Sequence, residues 1–179
     1  MSEQTLAASL TRHGFQNPAQ ILAARTAAKL GLPVACAMLD QESSGGRNEW
    51  GHDPTNFIGG FDAVTGKHWG ATVTQPAYLA YKAQRAVHGA QGVGPCQLTS
   101  PSLQDEADAA GGCWIPQHSM AVGFHYLHDL IVEHGLLNGC IAYNGAGPAA
   151  NAYGAHLVAL AEHYKTVGLG SVVGVLPSK

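Results

Sequence analysis

PVACAMLDQESSGG, residues 33–46, is the stretch from which the rest of the chain can be read. Pro33 suits the first turn of a helix, where its missing N–H leaves nothing unsatisfied. Ala35, Met38, Leu39 and Glu42 then recur at the spacing of one helical face. Two serines and two glycines end the helix directly after the glutamate. Glu42 therefore continues an apolar stripe and stands at a helix C-terminus. Burial disfavours its charged form, and so does the negative end of the helix dipole. Both effects raise its pKa, and a carboxyl that keeps its proton near neutral pH is what general-acid chemistry requires. The competing reading is a surface glutamate at a frayed helix end. Asp40, two positions earlier, points away from Glu42 and is expected to be solvated.

The surrounding composition fits a folded catalytic or binding domain. The chain has 179 residues, of which 46% are hydrophobic. Only 12% are charged, against about 25% in a typical globular domain, which argues against disorder. A net charge of −3 and a pI near 6.3 exclude a mainly electrostatic nucleic-acid binder. No apolar run approaches the ~20 residues of a membrane span. The stretch MSEQTLAASLTRHGF lacks a basic start and an unbroken apolar core, so no secretory signal is expected. The four cysteines, Cys36, Cys96, Cys113 and Cys140, form no CxxC pair and are expected to be buried free thiols.

Periodicity predicts a mainly α fold with a small β-hairpin or loop region. Asn17 caps and Pro18 opens a helix that stops at Gly31, and Pro33 opens the next. Residues 43–75 read as loop, with HWGATVT (68–74) as a short strand. Pro76 starts a helix through QPAYLAYKAQRAVHG. Ser100 caps another, SPSLQDEADAAGG, with acidic residues in its early turns. In PQHSMAVGFHYLHDLIVEHG the core stripe is Met120, Phe124, Leu127 and Ile131. LLNGCIAYN reads as a short buried helix. In the last helix Tyr153, Leu157, Leu160 and Tyr164 share a face. Residues 1–165 are expected to form one domain, and 166–179 a tail or linker.

Two later segments give Glu42 a context. QGVGPCQLTS (91–100) is glycine-rich, with polar Gln97 and Thr99 flanking Leu98. AYNGAG (142–147) ends a helix with Tyr143 and Asn144. With Glu42-Ser43, these segments occur in the order found in the lysozyme-like superfamily of lytic transglycosylases and goose-type lysozymes, which carries "ES" at a helix end, then "GxGxMQ", then "AYN". The chain resembles that superfamily over residues ~33–165. The form GVGPCQLT, with GHD after the glutamate, is most similar to the glycosidase domains of actinobacteriophage endolysins.

The resemblance implies a two-lobed helical fold and cleavage of the β-1,4 bond between N-acetylmuramic acid and N-acetylglucosamine in peptidoglycan. It implies Glu42 as general acid, and Ser43, Gln97, Thr99, Tyr143 and Asn144 as residues lining the glycan cleft. It implies a monomer with peptidoglycan strands as partner, no cofactor, no metal, no nucleic acid and no membrane insertion. An endolysin would wait in the host cytoplasm and act on the wall after release. Cys96 departs from the family's Met, and Thr99 stands where goose-type enzymes carry a second aspartate. Asp53 in WGHD is the first candidate for a base, Asp62 the second; an Asx turn before Pro54 is the alternative role for Asp53. Hydrolysis needs such a base, whereas ring closure to a 1,6-anhydro sugar does not. A non-catalytic peptidoglycan-binding or virion structural relative is the alternative from another class.

Other residues carry two readings each. Trp50 and Trp69 offer faces for sugar rings or wedge loops onto the core, and Trp114 is expected to do the latter. Tyr78 and Tyr81 could line the cleft. His118, His125 and His128, near Asp129, lie opposite the Met120 stripe, and a solvated face is preferred there to a metal site.

Overall fold

The computed structural model describes residues 2–170, so the tail read as a linker falls outside the described residues from position 171 onward. The protein is mainly helical, with a small antiparallel sheet. The chain opens with α1 (Glu3–Arg12), α2 (Pro18–Ala27) and α3 (Leu32–Ser43). The short strands β1 (Phe57–Ile58), β2 (Phe61–Asp62) and β3 (Lys67–His68) follow. Next come α4 (Gln75–Lys82), α5 (Arg85–His88) and α6 (Pro101–Ala109). The chain closes with α7 (Pro116–His134), α8 (Leu136–Asn144) and α9 (Pro148–Thr166).

Several boundaries depart from expectation, each for a local reason. The sequence reading had assigned no element to α1, which starts on a Ser2 cap accepting the Thr5 amide. α2 stops at Ala27 rather than Gly31, because Lys29 adopts the left-handed conformation (φ 56°). There the Leu30 amide reaches back to the Arg25 carbonyl at 2.9 Å, a Schellman closure built on lysine instead of glycine. Asn17 is itself left-handed and makes no side-chain cap. Only His68 of the expected strand 68–74 is paired, with Phe61. The helix expected from Pro76 breaks into α4 and α5. Ser100 bonds Ser102 instead of capping α6, whose first turn holds no acid. α8 is buried only at Gly139 and Cys140.

The core forms around α3, in which Leu32 through Leu39 are all buried. α9 packs on α3 and on α8, and α7 packs on α2, α6 and α8. The expected α7 stripe is buried, and all four cysteines are buried and free. A second cluster joins the sheet to α4. Trp50 and Phe57 lie 4.6 Å apart by ring centroid, and Tyr81 lies 5.7 and 5.6 Å from them. Trp50, Tyr78 and Tyr81 are thus core residues, and the expectation that the two tyrosines line a cleft is not met. Trp114 packs on Tyr78, and Trp69 lies beneath the Lys67 ammonium. Lys82 and Arg85 pair with Asp105, and Lys82 also with Asp108, tying α4 and α5 to α6.

Candidate active site

Glu42 occupies the last turn of α3, and the way that turn ends fixes its position. Ser44 adopts φ 54°, and the Gly45 amide folds back to the Leu39 carbonyl at 2.8 Å. Ser43 is buried, and its Oγ lies within donating distance of the Leu39 carbonyl (3.1 Å) and the Pro95 carbonyl (2.7 Å). The same oxygen accepts from the Gly46 amide at 2.9 Å. One serine therefore closes the helix and ties its end to the 91–100 segment.

That segment is anchored from three sides. Trp50 and Val93 form an isolated antiparallel bridge, the Gly51 amide donates to the Gly92 carbonyl, and the Gly94 amide donates to the Glu49 carbonyl. From below, α7 approaches so closely that a Cβ on Gly123 would lie 2.6 Å from the Cβ of Cys96. From α8, the Tyr143 hydroxyl donates to the Cys96 carbonyl at 2.9 Å. The segments of Glu42, Gln97 and Tyr143, far apart in sequence, thus meet at one place through side-chain hydroxyls that donate to backbone carbonyls.

Two adjoining cavities of about 470 and 510 Å³ open there. Glu42, Asp53, Gln97, Thr99 and Asn144 border both, so the two form one cleft with the carboxyl of Glu42 on its wall. Ser43 and Trp50 border one end, Tyr126 and Tyr143 the other. Gln97 takes a left-handed backbone (φ 49°) and spends its amide N–H groups on the Asn48 and Gly94 carbonyls. Thr99 and Asn144 are exposed on the cleft wall.

Burial pushes the Glu42 pKa up, while a hydrogen bond from the Tyr153 hydroxyl to Oε1 pulls it down, and the balance is about 7. At neutral pH the group is divided between acid and base. Burial also raises the Tyr143 and Tyr153 phenols, with the Glu42 charge adding to it, so both remain donors. Asp40, expected in solvent, instead accepts a 2.9 Å hydrogen bond from Tyr164.

The two candidate bases separate clearly. The Asp62 carboxylate accepts from the Val64 and Thr65 amides and from the Thr65 hydroxyl, which turns the chain between β2 and β3. Burial pushes its pKa up, but those bonds outweigh burial and leave it below the usual value. Asp62 is committed to a turn and does not border the cleft. Asp53 does border it, and its carboxylate is not consumed by an Asx turn: the Thr55 amide bonds the Asp53 backbone carbonyl, at 2.7 Å.

Three residues of this site carried no signal in the sequence reading. Tyr153 was read only as one of four residues sharing a face of the last helix. Tyr126 stands beside Tyr143, with ring centroids 5.6 Å apart. Gln91 is fully buried and clamps the Asp53 loop. Its Oε1 accepts from the Asp53 amide, and its Nε2 donates to the Asp53 and Phe57 carbonyls. Compared with family models, with curated proteins and with solved structures, the chain gives no match. What the cleft can do is therefore a question for its own side chains.

Proposed function

We propose that the protein is a peptidoglycan glycosidase of the lysozyme-like kind, cleaving the β-1,4 bond after N-acetylmuramic acid with Glu42 as general acid. The observation that carries this reading is a largely buried carboxyl, its pKa raised to about 7 by that burial, on the wall of an open cleft bordered by the Gln97 and Tyr143 segments. A pKa near the working pH is the best compromise between holding a proton and releasing it to a leaving oxygen. Tyr126 and Tyr143 supply aromatic faces for sugar rings, and Thr99 and Asn144 supply hydrogen-bonding groups for hydroxyl and acetamido substituents.

In this mechanism Glu42 first protonates the glycosidic oxygen. In ring closure, the Glu42 carboxylate so formed takes the proton of the muramic C6 hydroxyl as that oxygen attacks C1; in hydrolysis, Asp53 takes a proton from the water that attacks C1, and solvent reprotonates Glu42. Asp53→Asn separates the two. A hydrolase using Asp53 as base loses most of its rate, whereas a transglycosylase keeps it. No helix among the described residues is long and apolar enough to cross a membrane. As an endolysin, the protein would accumulate in the host cytoplasm and reach the wall only after release.

The test is Glu42→Gln. This variant should bind purified cell walls as the unaltered protein does but fail to clear them. A wall-binding protein without catalysis would clear nothing in either form.

A further inference from the structure

On the face of α7 opposite its core stripe, three potential ligands converge. His125, His128 and Asp129 each offer one donor atom, and the three donors lie within 4.8 Å of one another. Asp129 places Oδ1 2.9 Å from His128 Nδ1 and Oδ2 3.7 Å from His125 Nε2. The imidazole rings are parallel within 3°, with centroids 6.0 Å apart. Helix geometry explains the pairing of positions 125, 128 and 129, which stand at i, i+3 and i+4 on one face. The His128 side chain is only 15% exposed, so its neighbours hold the ring in place. His125 and Asp129, at 59% and 61%, leave room for water to complete a coordination shell.

The geometry points to a binding site for a divalent transition-metal ion, with zinc or nickel the best fit, held by His125, His128 and Asp129. Two imidazoles and one carboxylate suit these borderline ions, whereas calcium and magnesium prefer oxygen donors alone. Metal–ligand bonds of about 2.0–2.2 Å set neighbouring donors roughly 3–3.5 Å apart. The 2.9 and 3.7 Å separations, made through the two different oxygens of Asp129, lie near that range, and with one donor from each residue inside 4.8 Å side-chain rotations would close the site. The other two histidines of this helix do not take part: His118 Nδ1 is buried with its ring beneath Gly111, and His134 lies in the last turn beside Glu133. A bound ion would staple the turn of α7 that also carries Tyr126 to the cleft. This inference is independent of the proposed glycan chemistry, since Glu42→Gln should leave metal binding unchanged.

The experiment is calorimetric titration of the chelator-stripped full chain with zinc chloride, repeated with His125→Gln and Asp129→Asn. One equivalent of zinc should bind. Loss of an outer-shell partner alone weakens metal sites by about 10–100-fold, so removing a ligand should cost at least about tenfold. Both positions are exposed, and unchanged thermal unfolding of the metal-free variants will show that the fold is intact. Cobalt substitution should give no thiolate charge-transfer band, because the cluster holds no cysteine and all four cysteines are buried. Absence of saturable zinc binding, equal affinity in His125→Gln, or a cobalt–thiolate band would each overturn the assignment.

Discussion

The Tyr153 hydroxyl, on α9, donates a hydrogen bond to the carboxyl of Glu42, at the end of α3. It is the one contact that pulls the Glu42 pKa down against burial. Tyr153→Phe removes it and leaves burial unopposed, so the Glu42 pKa should rise beyond about 7. The alkaline limb of the kcat/KM profile, set by deprotonation of the acid, should move to higher pH. Stability should fall by about 1 kcal/mol, the net worth of one hydrogen bond. A pH profile that does not move would show that Tyr153 serves packing only.

Glu42 should also leave a mark on stability. Its folded-state pKa lies above its ordinary value, so the folded chain favours the protonated form. That contribution is complete below about 4.5 and is lost as pH rises through about 7. Glu49, buried and raised in the same direction, adds to the trend. Glu42→Gln cannot ionise, so at pH 8 it should exceed the parent protein in stability by about 1–3 kcal/mol. Urea unfolding at pH 4 and pH 8 measures the difference, which should all but vanish at the lower pH.

Gln91 is predicted to matter more than any exposed cleft residue for keeping Asp53 in place. Gln91→Ala leaves the Asp53 amide without a partner and takes one donor each from the Asp53 and Phe57 carbonyls, which keep only their bonds from Thr55. The unpaired amide costs about 1–3 kcal/mol and each lost carbonyl bond about 0.5–1.5 kcal/mol, so the total should reach roughly 2–4 kcal/mol. Chemical denaturation reads the loss directly.

Gly154 lets α9 lie against α8, which brings Tyr153 beside Tyr143 and within reach of Glu42. A Cβ at position 154 would stand 2.8 Å from the Ile141 backbone nitrogen, which cannot move aside as a side chain could. Gly154→Ala should therefore destabilise the fold by about 1–3 kcal/mol, the usual cost of overpacking, despite alanine's better helix propensity. Thermal unfolding will show it as a lowered Tm.

Lys29 offers a change in the opposite direction. It holds a left-handed conformation that costs a side-chain-bearing residue about 1–2 kcal/mol. Lys29→Gly should relieve that strain at the end of α2. After glycine's greater unfolded-state entropy is subtracted, a gain of about 0.5–1 kcal/mol should remain in denaturant unfolding.

The helices were legible where the sequence carried period and punctuation together, as in Pro33 to Ser43 and along the Met120 stripe of α7. They were misjudged where a tertiary contact or an unexpected residue set the end, as Lys29 did for α2. Glu42 was legible as a carboxylate ending an apolar helical stripe, whereas Gln97 and Tyr143 were singled out through the resemblance of their segments to the lysozyme-like superfamily. The site was not legible at Gln91 or Tyr153. A buried glutamine looks like any other glutamine, and a tyrosine on a helical stripe looks like core until the facing helix is known. Asp62 was weighed as a base because a carboxylate near a cleft and one folded into its own turn look alike in sequence.

The central claim is that Glu42 gives its proton to a glycosidic oxygen. Mass spectrometry of purified peptidoglycan digested by the protein tests this most directly. The prediction is fragments cut between N-acetylmuramic acid and N-acetylglucosamine, ending either in 1,6-anhydromuramic acid or in a reducing muramic residue, and no such fragments from Glu42→Gln. Intact glycan strands, cleavage confined to peptide or amide bonds, or undiminished glycan cleavage by the Glu42→Gln variant would contradict it.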